Sequence, residues 1–232
     1  MLKAILFDLD GTLAHTDPIH FQVWQTLLAP HGMTVDQAFY DRFISGRLNP
    51  DIVRDLLPQL SVEEGAAFSD HKEAQFRRLA ADQLQRMPGL SNFLDHLKQH
   101  HYATALVTNA PRLNAEFVLD TLDLSDAFQP VIIAADLPRG KPDPLPYQTA
   151  LAKLSLRPDE ALVFEDSPTG VQAGAGAGIA TIGITSSHSD ATLVGLGARF
   201  TVADFTDGRL LTYLDSSDGS NAVVNPCLSG SA

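Results

Sequence analysis

The sequence predicts an α/β protein with a doubly wound, Rossmann-like parallel sheet and an inserted all-helical cap domain. Two observations predict the sheet. Short apolar runs alternate with helical patterns, and each run is continuously apolar, as in strands covered by helices on both faces. A third observation predicts the cap, because residues 16–84 contain helical patterns and no strand-like run. With 44% hydrophobic residues in 232, the chain can bury a substantial core.

Apolar runs and helical spacing give the elements of the sheet layer in chain order. The predicted strands are Ala4–Phe7, Ala103–Val107, Val131–Ala134, Ala161–Phe164 and Thr181–Ile184. The predicted helices between them are Leu90–His100, Ala115–Leu122 and Leu145–Leu154. The glycines of 174–178 lack the spacing of a nucleotide-binding loop, so they predict a helix that ends at Gly178 and packs closely on the sheet.

Helical signals also fill the segment after the first strand. One apolar stripe has helical spacing and comprises Ile19, Val23, Trp24, Leu27 and Leu28. Thr34–Gln37 and Ser61–Glu64 each match a capping box, which predicts two further helix starts. Pro88-Gly89 marks the return to the sheet layer. We therefore expect a core of residues 1–15 and 85–215, a helical cap of 16–84, and a flexible tail of 216–232 rich in Ser, Asn and Gly.

Charge and composition exclude several classes of function. The formal net charge of −12 disfavours binding to nucleic acid or to an anionic membrane surface. No apolar run is long enough for a membrane span or a signal peptide, so we expect a cytoplasmic protein. A single cysteine, Cys227, excludes a disulfide scaffold. The sequence leaves the oligomeric state open, and a monomer is compatible with it.

Polar side chains follow four of the predicted strands. Asp8 and Asp10 follow the first strand, Thr108 and Asn109 the second, Lys141 lies in the loop after the third, and Glu165 and Asp166 follow the fourth. Ligands of open α/β sheets bind beyond the carboxyl ends of the strands, so these side chains should converge. Four carboxylates in one place need a compensating cation, and oxygen-only ligands suit Mg²⁺. Such a site fits a phosphoryl group.

Four motifs in this order resemble the haloacid dehalogenase superfamily of phosphohydrolases. They are Phe7-Asp8-Leu9-Asp10-Gly11-Thr12-Leu13, Val107-Thr108-Asn109, Gly140-Lys141-Pro142 and Phe164-Glu165-Asp166-Ser167-Pro168-Thr169-Gly170-Val171. The resemblance covers about residues 1–205. The helical segment directly after the first motif is similar to the helical-cap subfamily, which includes sugar phosphatases, phosphoglycolate phosphatases and β-phosphoglucomutase.

The resemblance implies a role for each motif residue. Asp8 would be the nucleophile that forms a phosphoaspartate, and Asp10 the general acid and base. Mg²⁺ would be held by Asp8, the backbone carbonyl of Asp10, Glu165 and Asp166. Thr108 and Asn109 would bind the phosphoryl oxygens, and Lys141 would neutralise charge between nucleophile and phosphate.

Each of these residues also has a simpler interpretation. An Asp-x-Asp pair is common in turns, Lys141 could be a solvated loop residue, and Thr108-Asn109 could form a plain turn. Glu165 and Asp166 could precede a helix that starts at Ser167-Pro168, an interpretation compatible with metal binding because the helix start would fix both carboxylates.

Three further residues are candidates for contact with the substrate. His20 falls where β-phosphoglucomutase-like proteins carry a histidine near the active site, and Arg47 lies in a loop between predicted cap helices. Arg112 follows Thr108-Asn109. For each of the three, a solvated helix or loop residue is the alternative. His15 lies at the junction with the cap, and the sequence assigns it no role.

The motifs together predict a Mg²⁺-dependent phosphomonoester hydrolase that acts on a small phosphorylated metabolite, such as a sugar phosphate, through a phosphoaspartate. One alternative is a β-phosphoglucomutase-like phosphotransferase. Arg47 is followed by Leu48-Asn49-Pro50 rather than by the Ser-Arg of the mutase loop, which favours the phosphatase. A non-enzymatic alternative is a phosphate-binding receiver-like module. The helical segment and the Asp10-Gly11-Thr12 sequence argue against it.

Overall fold

A computed structural model describes residues 1–45 and 47–215 and contains a six-stranded parallel sheet. The strands are β1 (Ala4–Phe7), β2 (Ala103–Thr108), β3 (Val131–Ile133), β4 (Ala161–Glu165), β5 (Ala180–Ile184) and β6 (Thr201–Val202). Their order is β3-β2-β1-β4-β5-β6. This confirms the predicted doubly wound sheet. β6 was not predicted, because two residues are too short to give a periodic signal.

The register places β1 at the centre of the sheet. Phe7 pairs with Leu106 of β2 and with Phe164 of β4, and all three strands run in the same direction. The residues that follow β1, β2 and β4 therefore emerge side by side at one edge. The strand order reverses at β1, which is where open α/β sheets form their binding crevice.

Helices cover both faces of the sheet. The bounds of α5 to α10 are Leu90–Gln99, Arg112–Thr121, Leu145–Leu154, Pro168–Gly176, Asp190–Gly195 and Arg209–Asp215. One face buries a cluster around Phe7, Phe93 and Phe164, and the other a cluster around Leu6, Val163 and Tyr147. Residues of β1 contribute to both clusters because successive side chains point to opposite faces. This explains the continuously apolar strand sequence.

In the described residues, four α-helices lie between β1 and α5 and form the helical insertion. They are α1 (Asp17–Leu28), α2 (Gln37–Phe43), α3 (Asn49–Leu56) and α4 (Val62–Ala80). Trp24 and Leu28 of the predicted stripe pack with residues of α2 and α3 in a core of their own. Ile19 and Val23 instead join the core of the sheet. The first turns of α1 therefore anchor the insertion to the sheet.

One of the two predicted capping boxes is wrong. α2 begins after Asp36, whose side chain accepts a hydrogen bond from the Phe39 N–H at 2.8 Å, so Thr34 lies before the helix. An aspartate at the N-cap satisfies the free N–H groups as well as a threonine does, and the local pattern could not separate them. The second box, of Ser61 and Glu64, is confirmed by reciprocal bonds of 3.2 and 2.8 Å.

The two chain segments that join the insertion to the sheet lie side by side. Ala14 forms an isolated antiparallel bridge with Arg86, and the Met87 N–H donates to the Leu13 carbonyl at 2.8 Å. Gly89 then takes a left-handed conformation (φ 77°), and a side chain there would clash with the backbone of Phe205.

The glycine-rich stretch ends α8, as predicted. The helix stops at Gly176 rather than at Gly178, and a Cβ on Gly174 would lie 2.5 Å from Thr181 Oγ1 of β5, so the small residue permits close packing on the sheet. Among the described residues no helix is long and apolar enough to cross a bilayer. Gly46 and the predicted tail of 216–232 lie outside the described residues.

Candidate active site

The carboxyl ends of β1, β2 and β4 open into a cavity of about 450 Å³ between the sheet and the helical insertion. Asp8 and Asp166 line it from the sheet side, and His20, Arg47 and Glu73 from the insertion. Residues distant in the sequence therefore meet at the edge where the strand order predicts a ligand site.

Three buried carboxylates lie together at the base of the cavity. Asp8, Glu165 and Asp166 each place an oxygen within 4.8 Å of the others. Their exposed fractions are 8%, 0% and 4%. The carboxylate of Asp10 is not part of this group. The arrangement is an oxygen-only donor set of the kind that hard divalent cations occupy.

Lys141 lies inside the carboxylate group. Its Nζ donates to Asp8 Oδ1 at 2.6 Å, to Glu165 Oε1 at 2.6 Å and to the Val107 carbonyl at 2.7 Å. The lysine is buried, so it is not the solvated loop residue of the simpler interpretation. It bridges two of the three carboxylates.

A single ammonium group cannot neutralise three buried carboxylates. Burial first, and then the charge of Glu165, raise the pKa of Asp8 to about 8 although Lys141 lowers it. Burial and the charges of Asp8 and Glu165 also raise the pKa of Asp166 well above its usual range. The group is therefore short of positive charge, and a divalent cation on these oxygens would supply it. The residues present fit Mg²⁺.

Close packing fixes the two acidic residues at the carboxyl end of β4. A Cβ on Gly170 would lie 1.8 Å from Glu165 Cδ, and a Cβ on Gly11 would lie 2.1 Å from Asp166 Oδ2. Gly11 also has a φ of 73°, which favours glycine. Both glycines belong to the motifs, and their small size lets the backbone approach the carboxylates.

Hydrogen bonds from residues that the sequence analysis did not identify also hold these carboxylates. Tyr147 donates to Glu165 at 2.8 Å, and Ser187 donates to Asp166. Ser186 bonds the Gly11 carbonyl at 2.6 Å and Asp166 at 3.4 Å. The serines follow β5, so the position of the fifth strand beside β4 was the signal that could have located them.

Asp10 faces the helical insertion. Its carboxylate lies 3.8 Å from Nε2 of His20, which lines the cavity and stacks on Phe76 with ring centroids 4.0 Å apart. Burial alone would raise the pKa of Asp10, but His20, Thr16 and Lys72 together outweigh it and hold that pKa below its ordinary value. Asp10 is therefore a carboxylate at neutral pH.

Thr108 and Asn109 both line the cavity and also hold the local backbone. The Thr108 hydroxyl accepts from the Ala110 N–H at 2.9 Å. Asn109 donates to the Lys141 carbonyl at 3.1 Å and accepts from the Lys141 N–H at 3.0 Å. The pair thus turns the chain after β2 and places the loop that carries Lys141.

The remaining candidates lie in different surroundings. Arg47 lines the cavity, but its guanidinium bonds Asp55 and the carbonyls of Phe43 and Asp51. Arg112 does not line the cavity. It lies at the exposed start of α6, paired with Asp136 and Glu116, so the structure does not support its predicted contact with substrate. The residue of α6 that lines the cavity is Asn114, which no local sequence signal indicated.

The chain is similar in sequence to a known family of hydrolases and to several proteins of known activity. The family described as haloacid dehalogenase-like hydrolase matches residues 5–184. The validoxylamine A 7′-phosphate phosphatase of Streptomyces hygroscopicus subsp. limoneus is 34% identical over 90% of this chain and 97% of its own. The phosphorylated carbohydrates phosphatase of Thermotoga maritima is 29% identical over 82% and 88%. The β-phosphoglucomutase of Bacillus subtilis is 26% identical over 79% and 83%.

A solved structure agrees with these sequence relationships. The family IA, variant 3 hydrolase of Entamoeba histolytica superimposes with a TM-score of 0.81 at 25% identity, covering 88% of this chain and 94% of its own. The match of the family over most of the chain, with the four motifs meeting in one cavity, confirms the resemblance seen in the sequence. The chain belongs to the haloacid dehalogenase-like hydrolase family.

Proposed function

We propose that this protein is a Mg²⁺-dependent phosphomonoester hydrolase that acts on a small phosphorylated metabolite through a phosphoaspartate. The observation that carries the proposal is the buried group of Asp8, Glu165 and Asp166 around Lys141, open to a cavity of metabolite size. The names of the relatives support the same reaction class. Both relatives are named as enzymes, which favours a hydrolase over the receiver-like module.

Mg²⁺ would be held by Asp8, Glu165, Asp166 and the backbone carbonyl of Asp10. When bound, it would neutralise the carboxylates and the phosphate oxygens and so let two anions meet. With charge balanced in this way, Asp8 is ionised and able to act as a nucleophile. This assignment explains why three carboxylates share a site with only one lysine.

In the first step an Asp8 oxygen attacks phosphorus and the bond from phosphorus to the leaving alkoxide breaks. Lys141, 2.6 Å from Asp8, stabilises negative charge between the nucleophile and the phosphoryl oxygens. Thr108 and Asn109, which line the same cavity, are placed to hold those oxygens.

Asp10 supplies and removes the proton. As a carboxylate it is ready to take a proton from the water that attacks the phosphoaspartate. This attack breaks the bond between phosphorus and the Asp8 oxygen, so inorganic phosphate is released and the Asp8 carboxylate is regenerated. For the first step it must carry a proton, and the arrival of a phosphate dianion beside it raises its pKa by like-charge repulsion. His20 is the group on the insertion that faces Asp10 and opposes this rise.

The helical insertion, residues 16–84, acts as a cap over the core of 1–15 and 85–215. The insertion can rotate as a rigid body about the paired segments at Ala14 and Arg86, with the contacts of Ile19 and Val23 to the core of the sheet changing as it moves. Solution scattering with and without a metal fluoride phosphate analogue tests this motion. An unchanged scattering profile would contradict it.

The test of the proposed function is hydrolysis of p-nitrophenyl phosphate. We expect turnover with Mg²⁺ and none after exhaustive treatment with EDTA. Asp8→Asn keeps the shape of the side chain but not its nucleophilicity, so turnover should fall by about a thousandfold or more while the fold is retained. Full activity in EDTA would refute the metal assignment, and an active Asp8→Asn variant would refute the nucleophile.

Two observations favour the mutase alternative: His20 lies 3.8 Å from Asp10, and the chain is similar to a β-phosphoglucomutase. β-Glucose 1-phosphate with a trace of glucose 1,6-bisphosphate separates the two reactions. We expect free phosphate to form faster than glucose 6-phosphate. The opposite result would identify a sugar hydroxyl, rather than water, as the acceptor.

A further inference from the structure

A second polar group borders the cavity on the side of the helical insertion. The Glu73 cluster consists of Asn49, Lys72, Glu73 and Asn114, all of which line the cavity. Glu73 accepts hydrogen bonds from Asn49, from Lys72 Nζ at 2.9 Å and from Asn114 Nδ2 at 2.5 Å. Asn114 belongs to α6 beside the sheet, so the cluster joins both sides of the cavity.

The Glu73 cluster is connected to the reaction centre through two side chains. Lys72 Nζ lies 2.9 Å from His20 Nδ1, and the other nitrogen of His20 faces Asp10. Glu73 is therefore linked to Asp10, the proposed acid and base, through the side chains of Lys72 and His20. A substrate whose phosphate reaches Asp8 would extend its leaving group toward this part of the cavity.

The lysines and arginines around the cavity already have partners. In the described residues those that line it are Arg47, Lys72 and Lys141, and they contact Asp55, Glu73 and the pair of Asp8 and Glu165, respectively. A leaving group with a carboxylate or a second phosphate would thus meet a paired lysine beside Glu73. Like charges in a partly buried site repel strongly.

Glu73 can still accept a hydrogen bond. A carboxylate has about four acceptor positions, and the described contacts fill three of them. Burial would raise the pKa of Glu73, but Lys72 and His20 outweigh it and hold the pKa below its ordinary value, so the group stays anionic. An anionic acceptor favours hydroxyl donors and disfavours anions.

We propose that Glu73 is a specificity-determining residue that selects substrates with an uncharged polyhydroxy leaving group over those with an anionic one. The inference rests on the proposed phosphatase function and specifies its substrate class. Asn49 and Asn114 orient the carboxylate, and Lys72 keeps it ionised. A substrate hydroxyl donates to the free position on Glu73.

Sorbitol 6-phosphate and 6-phosphogluconate test the proposal as a pair. Both are six-carbon polyol phosphates, and they differ by one carboxylate at the far end. For the wild type we expect kcat/KM to favour sorbitol 6-phosphate by about tenfold or more. In Glu73→Gln this ratio should fall by about tenfold, because the amide does not repel the carboxylate.

Glu63→Gln is the matched control. It removes the same charge from the exposed first turn of α4, away from the cavity, and should leave the ratio unchanged. An unchanged ratio in a folded Glu73→Gln variant overturns the proposal. If that variant does not fold, the wild type decides, since a ratio near one also overturns it.

Failure of the underlying function gives a different result. If the wild type releases phosphate from neither substrate nor from p-nitrophenyl phosphate, the phosphatase function itself fails. Hydrolysis of p-nitrophenyl phosphate together with a ratio near one removes only the role of Glu73.

Discussion

Gly170→Ala should inactivate the protein by displacing the carboxylate of a neighbouring residue, Glu165. A Cβ at this position would lie 1.8 Å from Glu165 Cδ and 1.9 and 2.0 Å from its two oxygens. Carbon atoms in contact are separated by about 3.5–4.0 Å, so the carboxylate must move by roughly 2 Å. It would then lose its bonds to Lys141 and Tyr147.

The expected loss of activity is large because the reaction rate depends on the exact position of the groups in the site. A misplacement of about 1 Å in an active site can cost about 100-fold in rate, so kcat for p-nitrophenyl phosphate should fall by about 100-fold or more. Alanine forms helices better than glycine by about 1 kcal/mol. This gain in stability opposes the loss of stability caused by the displaced carboxylate. A variant that folds well and turns over poorly is the result that this geometry predicts.

Gly176→Ala is the control in the same helix. The nearest atom to its Cβ would be Pro144 Cβ at 3.6 Å, an ordinary contact, so kcat should remain within about twofold of the wild type. Circular dichroism and thermal unfolding of both variants show whether each is folded. A folded Gly170→Ala variant with wild-type kcat would refute the requirement for Glu165 at its present position.

Three further changes follow from the contacts of individual side chains. Ser187→Ala removes a donor to Asp166, so the Mg²⁺ concentration for half-maximal activity should rise by about tenfold; an unchanged titration would contradict this. Arg112→Ala should leave kcat/KM within about twofold, because this residue lies outside the cavity; a tenfold loss would restore it as a substrate contact. Glu73→Gln should lower the free energy of unfolding at pH 7 but much less at a pH below the folded-state pKa of Glu73, as urea titrations at the two pH values would show. The depressed pKa of Glu73 adds stability above its ordinary value of 4.5, and this is lost as pH falls through the folded-state pKa. An equal effect at both pH values would contradict that origin.

The sheet and the groups at its edge were predictable from the sequence because their signals are local. A strand buried on both faces is continuously apolar, and Asp8, Asp10 and Asp166 follow such strands directly. The order of the motifs then places them at one edge of the sheet. β6 and the first capping box show the limit of local signals, since a two-residue strand has no period and two adjacent residues can each cap a helix.

The Glu73 cluster could not be predicted because its signal is not local. Charged residues on α4 are typical of a helix face exposed to water, and nothing in that segment indicates that Lys72 and Glu73 are buried. One of its three hydrogen-bond partners, Asn114, lies on a helix of the sheet layer. Contacts of this kind appear only when the insertion and the core are assembled.

The central place of β1 has a consequence for the order of folding. Ala4 pairs with Ala103 on one side and with Ala161 on the other, so the strand that precedes Asp8 depends on partners far along the chain. Pairing at such separation is slow because the intervening loop must close first. The insertion lies within that loop, and much of its apolar surface is buried by its own helices. During synthesis the insertion can therefore collapse early, whereas the carboxylates meet only after β4 has joined β1. A nascent chain stalled before residue 161 would contain Asp8 and the helical insertion but neither Glu165 nor Asp166, so the group of three carboxylates could not form.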